Sequence, residues 1–242
     1  MRLDRLDALR GVAIVWMAAF HFCFDLNHFG LITEDFRRDP FWTGQRTAIV
    51  SLFLLCAGLG QALALAGEGA GAPAGSGLDS ARFWRRWAQV AGCAVLVSAG
   101  SWLMFPRSFI FFGVLHGVAV MLILTRLLHR AGRWLWLLGL VAIVCPLLWR
   151  HPWFEPRWLA WTGLGTLKPV TEDHVPVLPW LGVMLWGLAL GRWLLQHRPG
   201  WITGGLLPVL QPLAVLGRWS LSFYMVHQPV LIGALMAWMA LR

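Results

Sequence analysis

The chain has 242 residues, of which 58% are hydrophobic and 13% are charged, and its formal net charge is +9. A soluble domain has roughly 45–50% apolar and about 25% charged residues, so this composition excludes a water-soluble globule. The positive charge is compatible with nucleic-acid binding. However, the basic residues lie in short clusters between apolar runs, where they are better interpreted as topology signals and lipid headgroup contacts. We therefore expect an integral membrane protein whose partners are membrane lipids and not nucleic acid.

Apolar runs along the chain predict an all-α, polytopic bundle of about seven to eight transmembrane helices, because a span needs about 20 apolar residues. The predicted helices are 8–26, 46–66, 84–104, 109–129, 133–149, 178–197 and 218–240. The short segment 203–216 holds two prolines and is either an interfacial or broken helix or an eighth span. The Gly-rich stretch 67–77 is predicted to be a flexible linker. We expect residues 1–242 to form a single domain.

The distribution of basic residues predicts the orientation. In the seven-helix arrangement, twelve Lys and Arg residues fall on the side of the N-terminus and eight on the other side. The positive-inside rule then places the N-terminus in the cytoplasm. The first apolar run lacks a small-residue cleavage site, so we interpret it as a retained helix and not as a signal peptide. A short chain of this kind suggests a bacterial inner membrane.

Ionisable side chains inside apolar helices are costly in a bilayer and are therefore functional candidates. In the first helix Arg10 and His21 are eleven residues apart, which puts them on one face about 16 Å from each other. Asp25 and His28 continue that face. A carboxylate four residues from His21 could hold one ring nitrogen and raise the basicity of the other, as a general base requires. Alternatively, Asp7 simply pairs with Arg10 at the interface, and Asp25 and His28 end the helix in water.

Polar residues also interrupt later apolar segments. His116 lies in the fourth predicted helix, and Tyr224 and His227 lie in the last. A membrane histidine is as often bonded to a neighbouring helix as it is part of a site. Asp173 precedes another helix start, where an acid either caps backbone amides or contributes to a binding site.

Four segments, in chain order, resemble the heparan-α-glucosaminide N-acetyltransferase catalytic-domain family in its short bacterial form. They are LDALRGVAIVWMAAFHFCFDLNHFG, FFGVLHGVAV, DHVPVLPWLGVMLWGLALG and LGRWSLSFYMVHQPVL. The Arg10-to-His21 spacing is also similar to that in the first helix of the acyltransferase-3 family, which is thought to share a superfamily with it. The resemblance implies a membrane acyltransferase with acetyl-CoA as a cytoplasmic donor. It also implies an acceptor hydroxyl or amine, often on a sugar or glycan, at the outer face.

The sequence departs from that family in two places. The lysosomal animal enzyme has an Asn where His21 stands and uses a histidine further along, to which His28 is the nearer match. The family block GVLQR is GVLHG here, so an arginine is missing after His116. Which histidine is the base, and whether the acceptor is an amino sugar, therefore stay open.

The leading hypothesis assigns roles along this polar column. His21, or failing that His28, removes the acceptor proton, and Asp25 orients the imidazole. Arg10 binds phosphate or pantetheine oxygens of the acyl-CoA, because a guanidinium matches phosphate geometry. Arg218 either assists in this binding or serves only as a topology signal. The expected acceptor-binding residues are His116, Asp173, Tyr224 and His227.

Other classes remain as alternatives. The same column could conduct a substrate or protons in a transporter or flippase. Less favoured is a membrane haem protein with His21, His116 and His227 as axial ligands. The sequence has no Cys/His metal spacing, so we predict no metal. A homodimer is possible.

Overall fold

The computed structural model describes residues 4–69, 78 and 80–241. In that part of the chain the regular structure is helical, apart from one isolated bridge between Phe112 and His174. The α-helices are α1 (Asp4–His28), α2 (Pro40–Gly69), α3 (Ala81–Met104), α4 (Val114–Leu128), α5 (Trp134–Leu148), α6 (Arg157–Ala160), α7 (Val177–His197), α8 (Pro199–Thr203), α9 (Gln211–Arg218) and α10 (Ser220–Ala240). Among the described residues, six helical segments are long and apolar enough to cross a membrane. They are α1, α2, α3, α7, α10, and α4 together with the 3₁₀ turn His129–Ala131, which extends it to 18 residues. The predicted all-α, polytopic membrane bundle is confirmed.

Two predicted elements do not form a full-length span. Helix α5 has 15 residues, which gives about 22 Å of length against a hydrocarbon core of about 30 Å. The segment 203–216 is divided among α8, a 3₁₀ turn at Pro208–Leu210 and α9, so it is a broken helix and not an eighth span. Pro208 and Pro212 each lie at the start of a new helical piece, where the missing N–H of proline is tolerated.

Helix α4 begins at Val114, five residues later than the predicted start at 109. The apolar run before it is held in an irregular loop by two serines of α3. Ser98 Oγ donates to the carbonyl oxygen of Ile110 at 2.6 Å, and Ser101 Oγ accepts from the Ile110 amide at 2.9 Å. These tertiary bonds replace the helical ones that hydrophobicity alone predicts. Most of the predicted linker 67–77 lies outside the described residues, although α2 extends through its first three positions.

The described residues form two compact units. One unit contains the described residues up to Phe53 and from Gly200 onward, so it holds α1, the first half of α2, α8 except for its first residue, α9 and α10. The other unit is Leu54–Pro199, which holds the rest of α2 and α3 to α7.

In the first unit α9 crosses α1 at two glycines. A Cβ atom on Gly217 would lie 1.8 Å from the carbonyl oxygen of Asp7, and one on Gly11 would lie 2.0 Å from that of Leu213. Because neither residue has a Cβ, the two backbones touch directly. This contact fixes the N-terminal half of α1, whose buried side chains include Ala13, Ile14 and Met17.

The C-terminal half of α1 is held by an aromatic cluster from the loop that follows it. Phe36 is buried and stacks on Trp42, the ring centroids being 4.1 Å apart. Phe20 and Phe24 of α1 meet the Phe36 ring edge-on at 5.6 and 5.4 Å. Such aromatic contacts add to the stabilisation from burial alone and fix the turn of α1 that carries His21.

In the second unit α7 packs closely against both α2 and α5. A Cβ atom on Gly187 would lie 2.4 Å from the carbonyl oxygen of Leu55, and one on Gly182 would lie 2.3 Å from that of Gly139. Small residues at such crossings let membrane helices approach closely, which is how they associate in lipid.

Candidate functional site

His21 of α1 and His227 of α10 form a histidine pair in the first unit. Nδ1 of His21 lies 2.7 Å from Nε2 of His227, and the two rings are nearly parallel, with centroids 5.0 Å apart. His227 is buried, with 7% of its surface exposed, whereas His21 is half-buried. Phe223, one turn earlier on α10, lies parallel to the His227 ring. Helices at opposite ends of the sequence therefore meet at two histidines.

The hydrogen bonds around His227 determine which nitrogen of each ring carries a proton. Nδ1 of His227 lies 2.7 Å from the carbonyl oxygen of Tyr224, and a carbonyl only accepts, so this nitrogen must donate. In a neutral ring Nε2 of His227 is then an acceptor, and Nδ1 of His21 donates to it. The lone pair of neutral His21 is therefore on Nε2, away from the pair. An imidazole held in this tautomer has the arrangement of a general base.

Asp25 does not hold the His21 ring, contrary to the expectation from their spacing. Its Oδ1 accepts from Nε2 of Gln228 at 2.7 Å, so the amide of α10 engages the carboxylate. The reason is geometric. Nδ1 of His21 faces His227 of α10, and Asp25, one turn further along α1, faces Gln228, the residue that follows His227. Asp25 is 3% exposed. His28 is exposed at the end of α1 and packs on Phe29.

Arg10 and Arg218, both expected to bind the donor, lie together at the other end of α1. Arg10 donates to Oδ1 of Asp7 at 3.0 Å, and Nε of Arg218 lies 3.7 Å from Oδ2 of the same carboxylate. Arg218 also donates to Asp4 at 2.7 Å. All four side chains are only partly buried. We call Asp4, Asp7, Arg10 and Arg218 the arginine–aspartate cluster. The alternative in which Asp7 pairs with Arg10 is thus observed, and it leaves donor hydrogens of both guanidinium groups to bind an anion.

His116 and Asp173 meet in the second unit at the start of α4. Asp173 Oδ2 accepts from the Val114 amide at 2.7 Å, so it caps α4 and not the helix that follows it in sequence. His116 Nδ1 accepts from the Gly113 amide at 3.3 Å, and its Nε2 lies 3.1 Å from Ser98 Oγ. Both predicted binding residues therefore organise a helix N-terminus, where backbone amides and the helix dipole favour negative charge.

His174 lies on the loop before α7, outside the helices that could cross a membrane. Burial, the larger cause, and the positive charge of Lys168 lower the pKa of His174 from 6.5 to about 4. The unfolded chain takes up this proton as the pH falls below about 6.5, but the folded chain does so only near pH 4. The His174 contribution to stability is therefore present above pH 6.5 and lost as the pH falls through this window.

We accordingly expect the thermal midpoint of the detergent-solubilised protein to fall between pH 7 and pH 5. His174→Gln should remove part of that fall because it has no proton to take up. His197→Gln, at an exposed position, is the control and should retain the full dependence. Identical pH dependence of the midpoint in the wild type and His174→Gln contradicts the assignment.

Two polar residues of the interior were not identified as candidates from the sequence. Gln228 follows His227 and was missed, although an amide inside an apolar helix is itself a signal. Arg126 was counted only as a topology charge, yet it is 1% exposed. It donates to Gln61 and Glu68, each at 2.6 Å, and lies 4.6 Å from the Phe83 ring. A buried guanidinium satisfied in this way fixes the end of α4 against α2 and α3.

In the described part of the chain, no three His, Cys, Asp or Glu side chains are placed to hold a metal ion. Apart from His28, which is exposed at the end of α1, the predicted site residues fall into three groups. The histidine pair with Asp25 and Tyr224 is at one end of α1, and Arg10 with Arg218 is at the other. His116 and Asp173 form the third group, in the second unit.

Comparison with known families gives a match over most of the chain. The family model described as "Heparan-alpha-glucosaminide N-acetyltransferase, catalytic" matches residues 2–229. Comparison with curated proteins and with solved structures gives no match.

Proposed function

The chain belongs to the family of heparan-α-glucosaminide N-acetyltransferase catalytic domains, which makes it a membrane acetyltransferase, and we propose that His21 is its general base. In this proposal the donor is cytoplasmic acetyl-CoA. The acceptor is a hydroxyl or amine of an extracytoplasmic sugar or glycan. The observation that carries the proposal is the histidine pair, since its hydrogen bonds leave the lone pair on Nε2 of His21.

The transfer step uses that lone pair. Nε2 of His21 takes the proton of the acceptor amine or hydroxyl as the acceptor atom attacks the thioester carbonyl carbon. The new C–N or C–O bond forms and the C–S bond breaks. The departing CoA thiolate receives the proton from His21, which returns to its neutral form. An acyl-histidine intermediate at the same nitrogen is the alternative route.

His227 in this scheme positions the base, although the sequence suggested that it binds the acceptor. When His21 becomes an imidazolium, its Nδ1–H still donates to Nε2 of His227, which disperses the charge. His28, at the exposed end of α1, is the alternative base. Tyr224, His116 and Asp173 remain the proposed acceptor-binding residues.

Arg10 and Arg218 are the proposed binding groups for the CoA phosphates. The acidic partners hold the guanidinium groups at the end of α1 about 16 Å from His21. We propose that this end faces the cytoplasm and the histidine pair lies toward the outer side. We also propose that residues 1–242 act as one domain in a bacterial inner membrane, either singly or as a homodimer.

Binding of radiolabelled acetyl-CoA to the detergent-purified chain tests the donor assignment. Arg10→Ala should raise the Kd for acetyl-CoA about tenfold or more, the value expected for one charge-assisted bond to a phosphate. Arg37→Ala, at an exposed loop arginine, is the matched control and should bind as the wild type does. A wild type that is folded but does not bind acetyl-CoA overturns the donor. Unchanged binding in Arg10→Ala removes this arginine from the donor site.

A further inference from the structure

Asp25 and Gln228 present two oxygen atoms that are buried and lack donors. Asp25 Oδ1 accepts from Gln228 Nε2, but nothing among the described residues donates to Asp25 Oδ2 or to Gln228 Oε1. Asp25 is 97% buried, from its exposure of 3%. One hydrogen bond therefore joins the two side chains, and each side chain keeps one oxygen atom that has no donor.

Such an arrangement is costly in the absence of a donor. Buried polar atoms are nearly always hydrogen-bonded. A buried carboxylate oxygen without a partner loses its hydrogen bonds to water and gains none from the protein, which costs free energy. Arginine side chains form ion pairs with Asp4, Asp7 and Glu68, whereas Asp25 accepts from the neutral amide of Gln228. A donor supplied by a bound molecule would satisfy both oxygen atoms.

The position of this pair relates it to the histidine pair. Asp25 follows His21 by four residues on α1, a rise of about 6 Å along the helix. Gln228 directly follows His227 on α10. Asp25 therefore lies one turn beyond His21 on α1, and the Gln228 side chain that engages it is also a neighbour of the His21 ring.

We propose that Asp25 and Gln228 form a recognition site for a second donor group of the acceptor. The inference rests on the proposed role of His21. The acceptor class that fits is a polyol or amino alcohol, in which an O–H or N–H group lies across a ring from the group that is acetylated. Asp25 Oδ2 and Gln228 Oε1 accept from this second group and hold the reacting atom at Nε2 of His21. Asp25 is thus a specificity residue and does not orient the imidazole.

In the competing account, Asp25 and Gln228 satisfy each other's hydrogen bonds without a ligand. If Asp25 carries a proton on Oδ2 and donates it to Gln228 Oε1, acid and amide satisfy each other and no ligand is required. Asp25→Asn separates the two accounts. An Asn side chain can still accept from Gln228 Nε2 and donate to Gln228 Oε1, so it reproduces the internal pair. It replaces the acceptor atom Oδ2 by a donor, however, and therefore removes the recognition site.

The experiment compares two ring amines as acceptors, 4-aminocyclohexanol and cyclohexylamine, which differ only by the hydroxyl across the ring. Acetyl transfer from radiolabelled acetyl-CoA is measured for the full-length wild type, Asp25→Asn and Glu34→Gln. The last variant removes one negative charge from an exposed loop residue and is the matched control.

We expect the wild type and Glu34→Gln to prefer 4-aminocyclohexanol by about tenfold or more in kcat/KM, as expected for one bond to a buried charged acceptor. Asp25→Asn should reduce this ratio to about one while the Kd for acetyl-CoA stays unchanged. A preference retained in Asp25→Asn supports the internal pair and overturns the recognition site. The recognition site is also overturned if the wild type binds acetyl-CoA but shows no preference between the two amines, or acetylates neither of them. Failure of the wild type to bind acetyl-CoA instead overturns the donor assignment.

Discussion

Replacing His21 by Ala is expected to lower the rate of acetyl transfer by about 10²- to 10⁴-fold, the usual contribution of a general base. The substitution removes the only lone pair that the histidine pair leaves for proton abstraction. The loss should be in kcat, with the Kd for acetyl-CoA unchanged, because Arg10 lies three turns away on α1 and Arg218 of α9 shares the Asp7 carboxylate with it. Steady-state transfer to an amine acceptor, together with acetyl-CoA binding, measures both quantities.

The matched control for this experiment is His197→Ala. His197 is exposed at the end of α7, where its Nδ1 lies 3.0 Å from the carbonyl oxygen of Trp193 and its ring stacks on the Trp193 ring. Its replacement should therefore leave kcat at the wild-type value. If His21→Ala retains more than a tenth of the wild-type rate, His21 is not the base. His28, at the exposed end of α1, then becomes the candidate.

Gly217→Ala is expected to destabilise the protein by at least about 3 kcal/mol or to prevent folding. The added Cβ would lie 1.8 Å from the carbonyl oxygen of Asp7 and 2.9 Å from the Gly11 amide nitrogen. Both are backbone atoms, so no side chain can rotate away, and α9 must separate from α1. That movement also breaks the contacts of Arg218 with Asp4 and Asp7. Thermal unfolding and size-exclusion chromatography in detergent report the loss.

Gly233→Ala is the control for that substitution. Gly233 lies within α10 in the same unit, and a Cβ there would meet nothing within 4 Å. Alanine is a better helix former than glycine by about 1 kcal/mol, so this variant should be as stable as the wild type or more stable. A Gly217→Ala protein with a wild-type midpoint would contradict the close crossing of α1 and α9.

The sequence was sufficient to predict the membrane class and most helices, because long apolar runs are a strong signal in lipid. For 203–216 it left two alternatives, an interfacial or broken helix and an eighth span, and the structure has the broken helix, with each proline at the start of a helical piece. Helix α4 was predicted too early, because hydrophobicity does not encode the bonds of Ser98 and Ser101 to Ile110. Such side-chain contacts between distant residues have no periodic pattern in the sequence.

The individual residues of the candidate site could be identified from the sequence, but the contacts between them could not. His21, Asp25 and His227 each stand out as polar groups in apolar helices. Spacing along α1 predicted an Asp25–His21 contact, whereas the actual partners come from α10, which is more than 200 residues away. Arg126 illustrates the same limit: a basic residue at a helix end resembles a topology signal until its burial with Gln61 and Glu68 is known.

The pairing of α1 with α10 has a consequence for biosynthesis. His21 and His227 are separated by 206 positions, which a ribosome takes about 10–40 s to translate at about 5–20 residues per second. Throughout that interval α1 is without the partners that α10 supplies to His21 and Asp25. The Asp7–Arg10 pair lies within α1 and is available at once, so the charged end of the helix is neutralised early. The end that carries His21 must wait, and this proposed base acquires its tautomer only when α10 is synthesised and packs against α1.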